Sequence, residues 1–401
     1  MLSISGDILI RRPVGDVFDY LADERNERDF NPRLLQARKT TAGPIGVGTR
    51  FHVVMNSLGR PVPMTVTITE HDRPLRLGSV TRMPGMAIAG TLTFTPDAGR
   101  TRMHWAWSIR PRGVLRAAAP LIALIGRRQE RANWARLKRV LDPPFEVAAG
   151  VHRLTVGGGP GRSNVYFLSS GAAWVLVDTG WPSDADAIRR AAAGLFGAGS
   201  RPAAILLTHS HPDHAGSARE LARAWNCPVY VHPDELALAG NDLAVVRAFP
   251  SPLDRWVLLP LLGLLPERRR RALMEQSSLR GVVRPLPPGA GLPGLPDWEA
   301  VPCAGHTPGH VAYFRRRDGI LLSGDALVTI DLNSPVGLLL ARPRLSGPPW
   351  YTTWDRRRAR MSVAALKGLR PRVIAGGHGV PFVARRTAPA SPVQAPRAGV
   401  R

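Results

Sequence analysis

The segment THSHPDHAG, residues 208–216, follows the apolar run AILL at 204–207 and constrains this chain more than any other stretch. His209, His211, Asp213 and His214 crowd together there, in a chain with 11 histidines among 401 residues. Packing imidazoles side by side strips water from each ring and makes any protonation repulsive. Neutral imidazole and carboxylate are also good ligands for borderline divalent ions, and a bound cation removes both penalties. Position supports the same reading. The cluster lies where a short apolar run meets a Gly-containing turn, so the run is expected to be a buried strand and the histidines its exit loop. Ligand sites of layered α/β folds gather at such strand ends. A Cys-free set that includes a carboxylate matches an open, catalytic type of metal site better than a closed structural one.

Four local donors do not complete two ions, so more are expected downstream. His306 lies in the Gly-rich loop of CAGHTPGHVAYF (303–314). Asp325 in GILLSGDALV (319–328) and His378 in RVIAGGHGVP (372–381) each come just past an apolar strand. Around them, 151–156, 163–170 and 173–180 are expected strands and 184–196 a helix. Then 202–209 leads into the cluster, 217–225 is a helix and 227–233 a strand. This alternation predicts a layered α/β domain.

HxHxDH, GHTPGH, SGDA and GGHG, in that order, resemble the metallo-β-lactamase superfamily of metal-dependent hydrolases, in its glyoxalase II-like and lactonase-like branches, over about residues 147–383. The resemblance implies a four-layer αββα domain with two divalent metal ions, zinc first, iron or manganese being accepted by the same N/O donors. Carried over by position, His209, His211 and His306 hold one ion, and Asp213, His214 and His378 the other, with Asp325 between them. Asp178 in VLVDTG matches the family's strand-end aspartate, which orients ligands, and His310 is implied to support by hydrogen bonding. The implied chemistry is attack of a metal-activated water on a small-molecule ester, thioester, lactone or amide, with Asp213 as a candidate proton acceptor. Two other chemistries remain open: RNA phosphodiester cleavage, and persulfide oxygenation at a single iron. The lack of a recognisable nucleic-acid module argues against the first, and the completeness of both ligand sets against the second. His232 is expected to be structural, and Asn164 with the glycines of 157–161 is expected to form a turn, not a phosphate cradle.

Residues 1–145 have a different texture. Residues 2–10, 49–55, 64–71, 76–83, 86–96 and 101–109 are expected strands, with a DAG turn joining the last two. Pro13 suits a first helical turn ahead of Val14, Val17, Phe18 and Leu21, and a long helix is expected from Val114 to Leu141. RPVGDVFDYLADERNERDFNP (12–32) resembles the opening of the polyketide-cyclase/START-like (SRPBCC) superfamily. That likeness implies an α+β helix-grip domain that holds an apolar ligand between sheet and helix. His52, His71 and His104 are scattered and read as structural.

The expected organisation is therefore 1–145, then 146–383 with an insertion at about 241–300, then a disordered tail at 384–401 rich in Pro, Ala and Arg. Within the insertion, 249–276 combines Leu, Pro and Trp256 with four consecutive arginines and reads as a lid over the site, ahead of a packed helical pair or a membrane-surface patch. The net charge of +24 is almost all arginine, since Lys39, Lys138 and Lys367 are the only lysines. Its spread along the chain reads as a solvated basic surface, not a nucleic-acid footprint. Cys227 and Cys303 stand far apart, MLSISGDILIRRP is not expected to be a signal peptide, and the longest apolar runs, 119–126 and 256–265, fall short of a bilayer span. A cytoplasmic protein is expected.

Overall fold

The computed structural model describes residues 2–57, 59–116, 118–142, 144–158, 161–287, 291–334, 336–337 and 342–383. The tail expected at 384–401 and two residues of the 157–161 segment lie outside the described residues. The chain divides into two compact units between Pro144 and Phe145.

The first unit contains β1 (Leu2–Ile10), α1 (Val14–Ala22), a 3-10 turn (Glu24–Asp29), β2 (Leu34–Lys39), β3 (Arg50–Ser57), β4 (Arg60–Asp72), β5 (Arg76–Met83), β6 (Met86–Asp97), β7 (Arg100–Pro111) and α2 (Ala119–Leu141). The strands form one antiparallel sheet in the order β1-β7-β6-β5-β4-β3-β2. Period-two alternation selects its buried face: Phe51 and Val53 on β3, Thr101, Met103 and Trp105 on β7. Onto that face pack Val17 and Phe18 of α1 and Trp134, Leu137 and Leu141 of α2. Pro13 caps α1 from outside its first turn. The long helix starts at Ala119, not Val114; a separate 3-10 turn occupies Gly113–Arg116, and Pro120 lies in the helix's first turn, where a missing N–H costs nothing. Strand β2 was not legible, because LLQARK carries no β-branched residue and little burial.

Gly90 on β6 faces Trp107 on β7, and a Cβ there would overlap the indole ring. The missing side chain lets Trp107 lie across the sheet toward Trp134, 6.3 Å between ring centroids, and Trp134 in turn stacks on Phe30 at 5.8 Å. A cavity of about 750 Å³ opens here, lined by the sheet's inner face, the 3-10 turn and α2.

The second unit begins with β8 (Phe145–Ala148), β9 (Val151–Val156), β10 (Ser163–Ser170), β11 (Ala173–Val177), α3 (Ala185–Phe196), β12 (Ala204–Leu206), α4 (Pro212–Ala215), α5 (Ala218–Trp225), β13 (Val229–Val231) and β14 (Val283–Pro285), a sheet in the order β14-β13-β12-β11-β10-β9-β8. A second sheet joins β15 (Trp298–Pro302), β16 (Val311–Arg315) and β17 (Ile320–Gly324) to Val373–Gly376 and Phe382–Val383. Both sheets are buried on two faces, which is why their central strands are continuous apolar runs. Alternate residues go to different cores. Tyr166, Val175 and Leu206 share a cluster with Tyr313 and Leu322 of the other sheet. Phe167, Leu176 and Ile205 instead meet Ile188 of α3 and Leu221 of α5. Phe314 and Leu321 meet Leu366, on the helix Arg356–Gly368.

Between β13 and β14 the insertion forms short helical pieces, Leu243–Ala248, Asp254–Leu258, Leu259–Gly263 and Glu267–Ser277. Trp256 and Leu264 on it are 76% and 81% exposed, so these two are not core of a packed helical pair. No described helix is long and apolar enough to cross a membrane.

Gly90→Ala is expected to cost about 1–3 kcal/mol, the usual cost of overpacking, and denaturant unfolding of the full chain measures it. A pH effect follows from Glu130, which lines the cavity. Burial, and then the charge of Glu27, push its carboxyl up to about 7, against a hydrogen bond from the Trp107 indole. The folded unit thus holds a proton that the unfolded chain releases above its ordinary value of 4.5. Stability should fall as pH rises from 4.5 to about 7 and level off beyond it. Glu130→Gln should flatten that slope in unfolding measured across the same range.

Candidate metal centre

The site is assembled at the ends of apolar strands. β12 ends at Leu206, and His209 and His211 lie on its exit loop; His211 precedes Pro212, the first residue of α4, which carries Asp213 and His214. β17 ends at Gly324, one residue before Asp325, and Val373–Gly376 ends two residues before His378. His306 lies on the loop between β15 and β16. The structure brings together all seven residues expected from the sequence. Ligand atoms of His209, His211 and His306 lie within 4.8 Å of one another, as do those of His209, His214 and Asp325, and those of Asp213, His214 and His378. Asp325 sits between the sets: Oδ2 is 3.5 Å from His306 Nε2 and 3.3 Å from His378 Nε2, and Oδ1 is 3.4 Å from His214 Nε2.

Each ring is turned by a fixed partner. The Asp178 carboxylate accepts from His214 Nδ1 at 2.8 Å and from the Thr208 N–H at 2.8 Å, leaving His214 Nε2 facing inward. Asp178 has φ 61, a left-handed backbone uncommon outside glycine and a form of strain that accumulates at functional sites. His306 Nδ1 meets Thr353 Oγ1 at 3.2 Å, and His378 Nδ1 donates to the Arg162 carbonyl at 2.6 Å. His310 lies outside the three donor groups: its Nε2 accepts the Asp325 N–H at 3.1 Å and its Nδ1 faces Cys303 Sγ at 3.0 Å. Gly377 must be glycine, since a Cβ there would strike the Asp325 carboxylate.

Three inward-facing atoms, His209 Nε2, His214 Nε2 and Asp325 Oδ1, are buried with no hydrogen-bond partner. Orphans of this kind are rare in folded proteins, and here they converge, so the donor set fits divalent cations by chemistry and placement. Electrostatics agree. Burial first, then the neighbouring imidazoles, hold His209 and neighbouring His306 well below the ordinary value, as neutral ligating rings. Burial opposes protonation of His214 as well, but Asp325, Asp213 and Asp178 outweigh it and push that ring well above. His378 behaves likewise and rises to about 10, while Asp213, despite burial, is held at about 2 by His214 and His378. Protons on these two rings offset the carboxylates around them, so a cation bound there would release protons.

Two buried supports escaped sequence reading. Glu235 is fully buried, and its carboxylate accepts from Ser210 N (2.9 Å), Ser210 Oγ (2.7 Å), Thr307 Oγ1 (2.9 Å) and Gly309 N (2.9 Å). It therefore ties the loop of His209 and His211 to the loop of His306. Its signal, an acid in HPDEL after a strand, is also that of an ordinary exposed helix start. Asn164 lies inside β10, as the strand expected at 163–170 requires and not in the turn also assigned to it; its amide donates to the carbonyls of Gly376 (3.0 Å) and Gly379 (2.8 Å), bracing the loop of His378. An amide in the otherwise apolar NVYFL was the available signal. His232 caps the turn Pro233–Glu235 by accepting from Asp234 N.

Glu235→Ala is expected to weaken metal retention about 10–100-fold, the usual cost of losing a group that orients ligands, with Glu235→Gln losing less. Competition against a chelator, with circular dichroism as a control for folding, measures it.

Residues 158–378 match the metallo-beta-lactamase superfamily, and residues 1–142 match the family of polyketide cyclase / dehydrase and lipid transport. The chain is 34% identical over 244 residues to the probable metallo-hydrolase YflN of Bacillus subtilis, spanning 60% of this chain and 88% of that one. It is 31% identical over 125 residues to a hydroxyacylglutathione hydrolase of Bdellovibrio bacteriovorus, 31% of this chain and 34% of that one. A metallo-beta-lactamase family protein from Thermus thermophilus superposes with a TM-score of 0.43 at 23% identity, over 59% of this chain and 76% of that one. The chain belongs to the metallo-beta-lactamase superfamily and is a metal-dependent hydrolase, preceded by a START-like domain of the polyketide cyclase kind.

Proposed function

We propose that the chain is a dinuclear hydrolase of small-molecule carbonyl substrates: an ester, thioester, lactone or amide. The observation that carries this reading is Asp325, whose two oxygens lie 3.3–3.5 Å from imidazoles of both donor sets while Oδ1 has no hydrogen-bond partner. His209, His211 and His306 would hold one ion, Asp213, His214 and His378 the other, and Asp325 would serve both. Zinc is the first candidate, and iron or manganese suit the same donors. When bound, such ions acidify water toward neutrality and stabilise negative charge on a carbonyl oxygen. Asp178, Glu235 and His310 keep the donors aimed. Asp213 is the candidate acceptor of the released proton, as a transient relay, since His214 and His378 hold its carboxyl at about 2. The name hydroxyacylglutathione hydrolase, borne by one relative, supports an acyl substrate.

The insertion at 241–300 is read as a lid. Phe249 packs edge-on against Trp354 at 5.1 Å, and the Trp354 N–H bonds the His306 carbonyl, so the segment starts beside the donor cluster. The layering of the second unit is read as αββα over 146–383, and the first, over 1–145, as a helix grip whose cavity takes a largely apolar ligand.

Metal analysis of the purified chain should find close to two ions. His211→Ala should lower turnover of model thioesters and lactones by at least about a hundredfold, the scale of losing oxyanion stabilisation, with folding retained. Full turnover by that variant overturns the mechanism, and one iron per chain with persulfide consumption favours the oxygenase.

A further inference from the structure

We infer that the cavity of the N-terminal unit is a receptor for an amphiphilic amine, whose ammonium head is met by Glu24, Glu27 and Glu130 and by the rings of Trp107 and Trp134. The inference rests on reading that cavity as an apolar-ligand site, and it adds the chemistry of the head group.

At about 750 Å³ the cavity has the size of a small-molecule site, and most of its wall is apolar, with Val53, Met64, Val66, Ile88 and Leu92 among the lining. One part of the wall differs. Glu24 and Glu27, from the 3-10 turn, and Glu130, from α2, line the same space. Their partners are one another, the Asn31 amide on Glu27 and the Trp107 indole on Glu130; none is a cation. Asp23 also lines the cavity but is paired with Arg25, and Arg33 lines it with no ion pair to the three carboxylates among the described residues.

Two further features point to an occupant. Trp107 and Trp134 stand 6.3 Å apart beside these carboxylates, and indole faces attract cations. Trp134 is 6% exposed and lines the cavity, yet its indole N–H has no acceptor among the described residues. An amine with a nearby hydroxyl supplies both what the acids lack and what this N–H lacks. Burial raises all three carboxyls above the ordinary range, and an ammonium beside them would lower them again.

The test uses the metal-loaded full chain and three decyl probes that contain nothing hydrolysable: N-decylethanolamine, decanol and decanoate. Isothermal titration should give the amine an affinity at least about tenfold above decanol, with decanoate weakest. The double variant Glu24→Gln, Glu130→Gln should lose about tenfold for the amine and keep decanol binding, which also reports that the cavity is folded. Equal binding of amine and decanol, an amine affinity unchanged in the variant, or decanoate binding tightest overturns the amine inference and leaves the apolar pocket standing. If none of the three binds, both readings fall.

Discussion

A buried carboxylate placed among imidazoles from several chain segments is the constraint around which the second unit is arranged. Asp325 has 5% of its side chain exposed and faces His214, His306 and His378, each delivered by a different chain segment. Such a group is costly in a folded interior unless positive charge surrounds it. Protonated His214 and His378 provide that charge in the metal-free protein, and divalent ions provide it better, because they also satisfy the unpartnered Oδ1, His209 Nε2 and His214 Nε2. A cation would therefore draw these segments together, while their own hydrogen bonds oppose the repulsion between like rings.

That opposition comes from groups one step back from the donors. Asp178 locks His214, Glu235 clamps two loops by four hydrogen bonds, and Asn164 braces the glycine-rich loop of His378. Each is buried and polar, and each would be expensive alone. They persist because every one of them ends on a backbone or donor group of the site, leaving little freedom for a metal-binding ring to turn away. The surrounding sheets supply stiffness: β10, β11 and β12 fill cores on both faces, so the loops at their ends start from fixed points.

Legibility from sequence followed the distinctness of each physical signal. The donors were readable because several imidazoles crowded beside an apolar strand have few uses apart from metal. The central strands were readable from continuous apolar runs, and the first unit's sheet from alternation and β-branched residues. Glu235 and Asn164 were not, since an acid in HPDEL and an amide before VYFL look the same whether they bond a distant loop or water. Strand β2 failed for another reason: LLQARK has no pattern of its own, and pairing with β3 alone makes it a strand. The start of α2 was misjudged by five residues, because Val114 and Leu115 are apolar enough to extend the helical pattern while the chain turns instead.

The two units meet the problem of buried charge in different ways, and the difference bears on the basic composition. A net charge of +24 invites a reading in terms of anionic partners, yet the arginine most deeply placed is structural. Arg315 is 1% exposed, paired with Asp318 at 2.9 Å, bonded to the Ala149 carbonyl and laid over the Trp298 ring. Abundant guanidinium is thus spent on holding turns and covering rings, where its planar fork and stacking face are useful. The places that lack guanidinium are more telling. Around Asp325, which is buried, and Glu130, which is half-buried, no arginine partner is found among the described residues, although the chain has arginines to spare. Glu235, also without an arginine, is satisfied by four hydrogen bonds, whereas Asp325 Oδ1 has none, and that orphaned oxygen is what marks room for a cation.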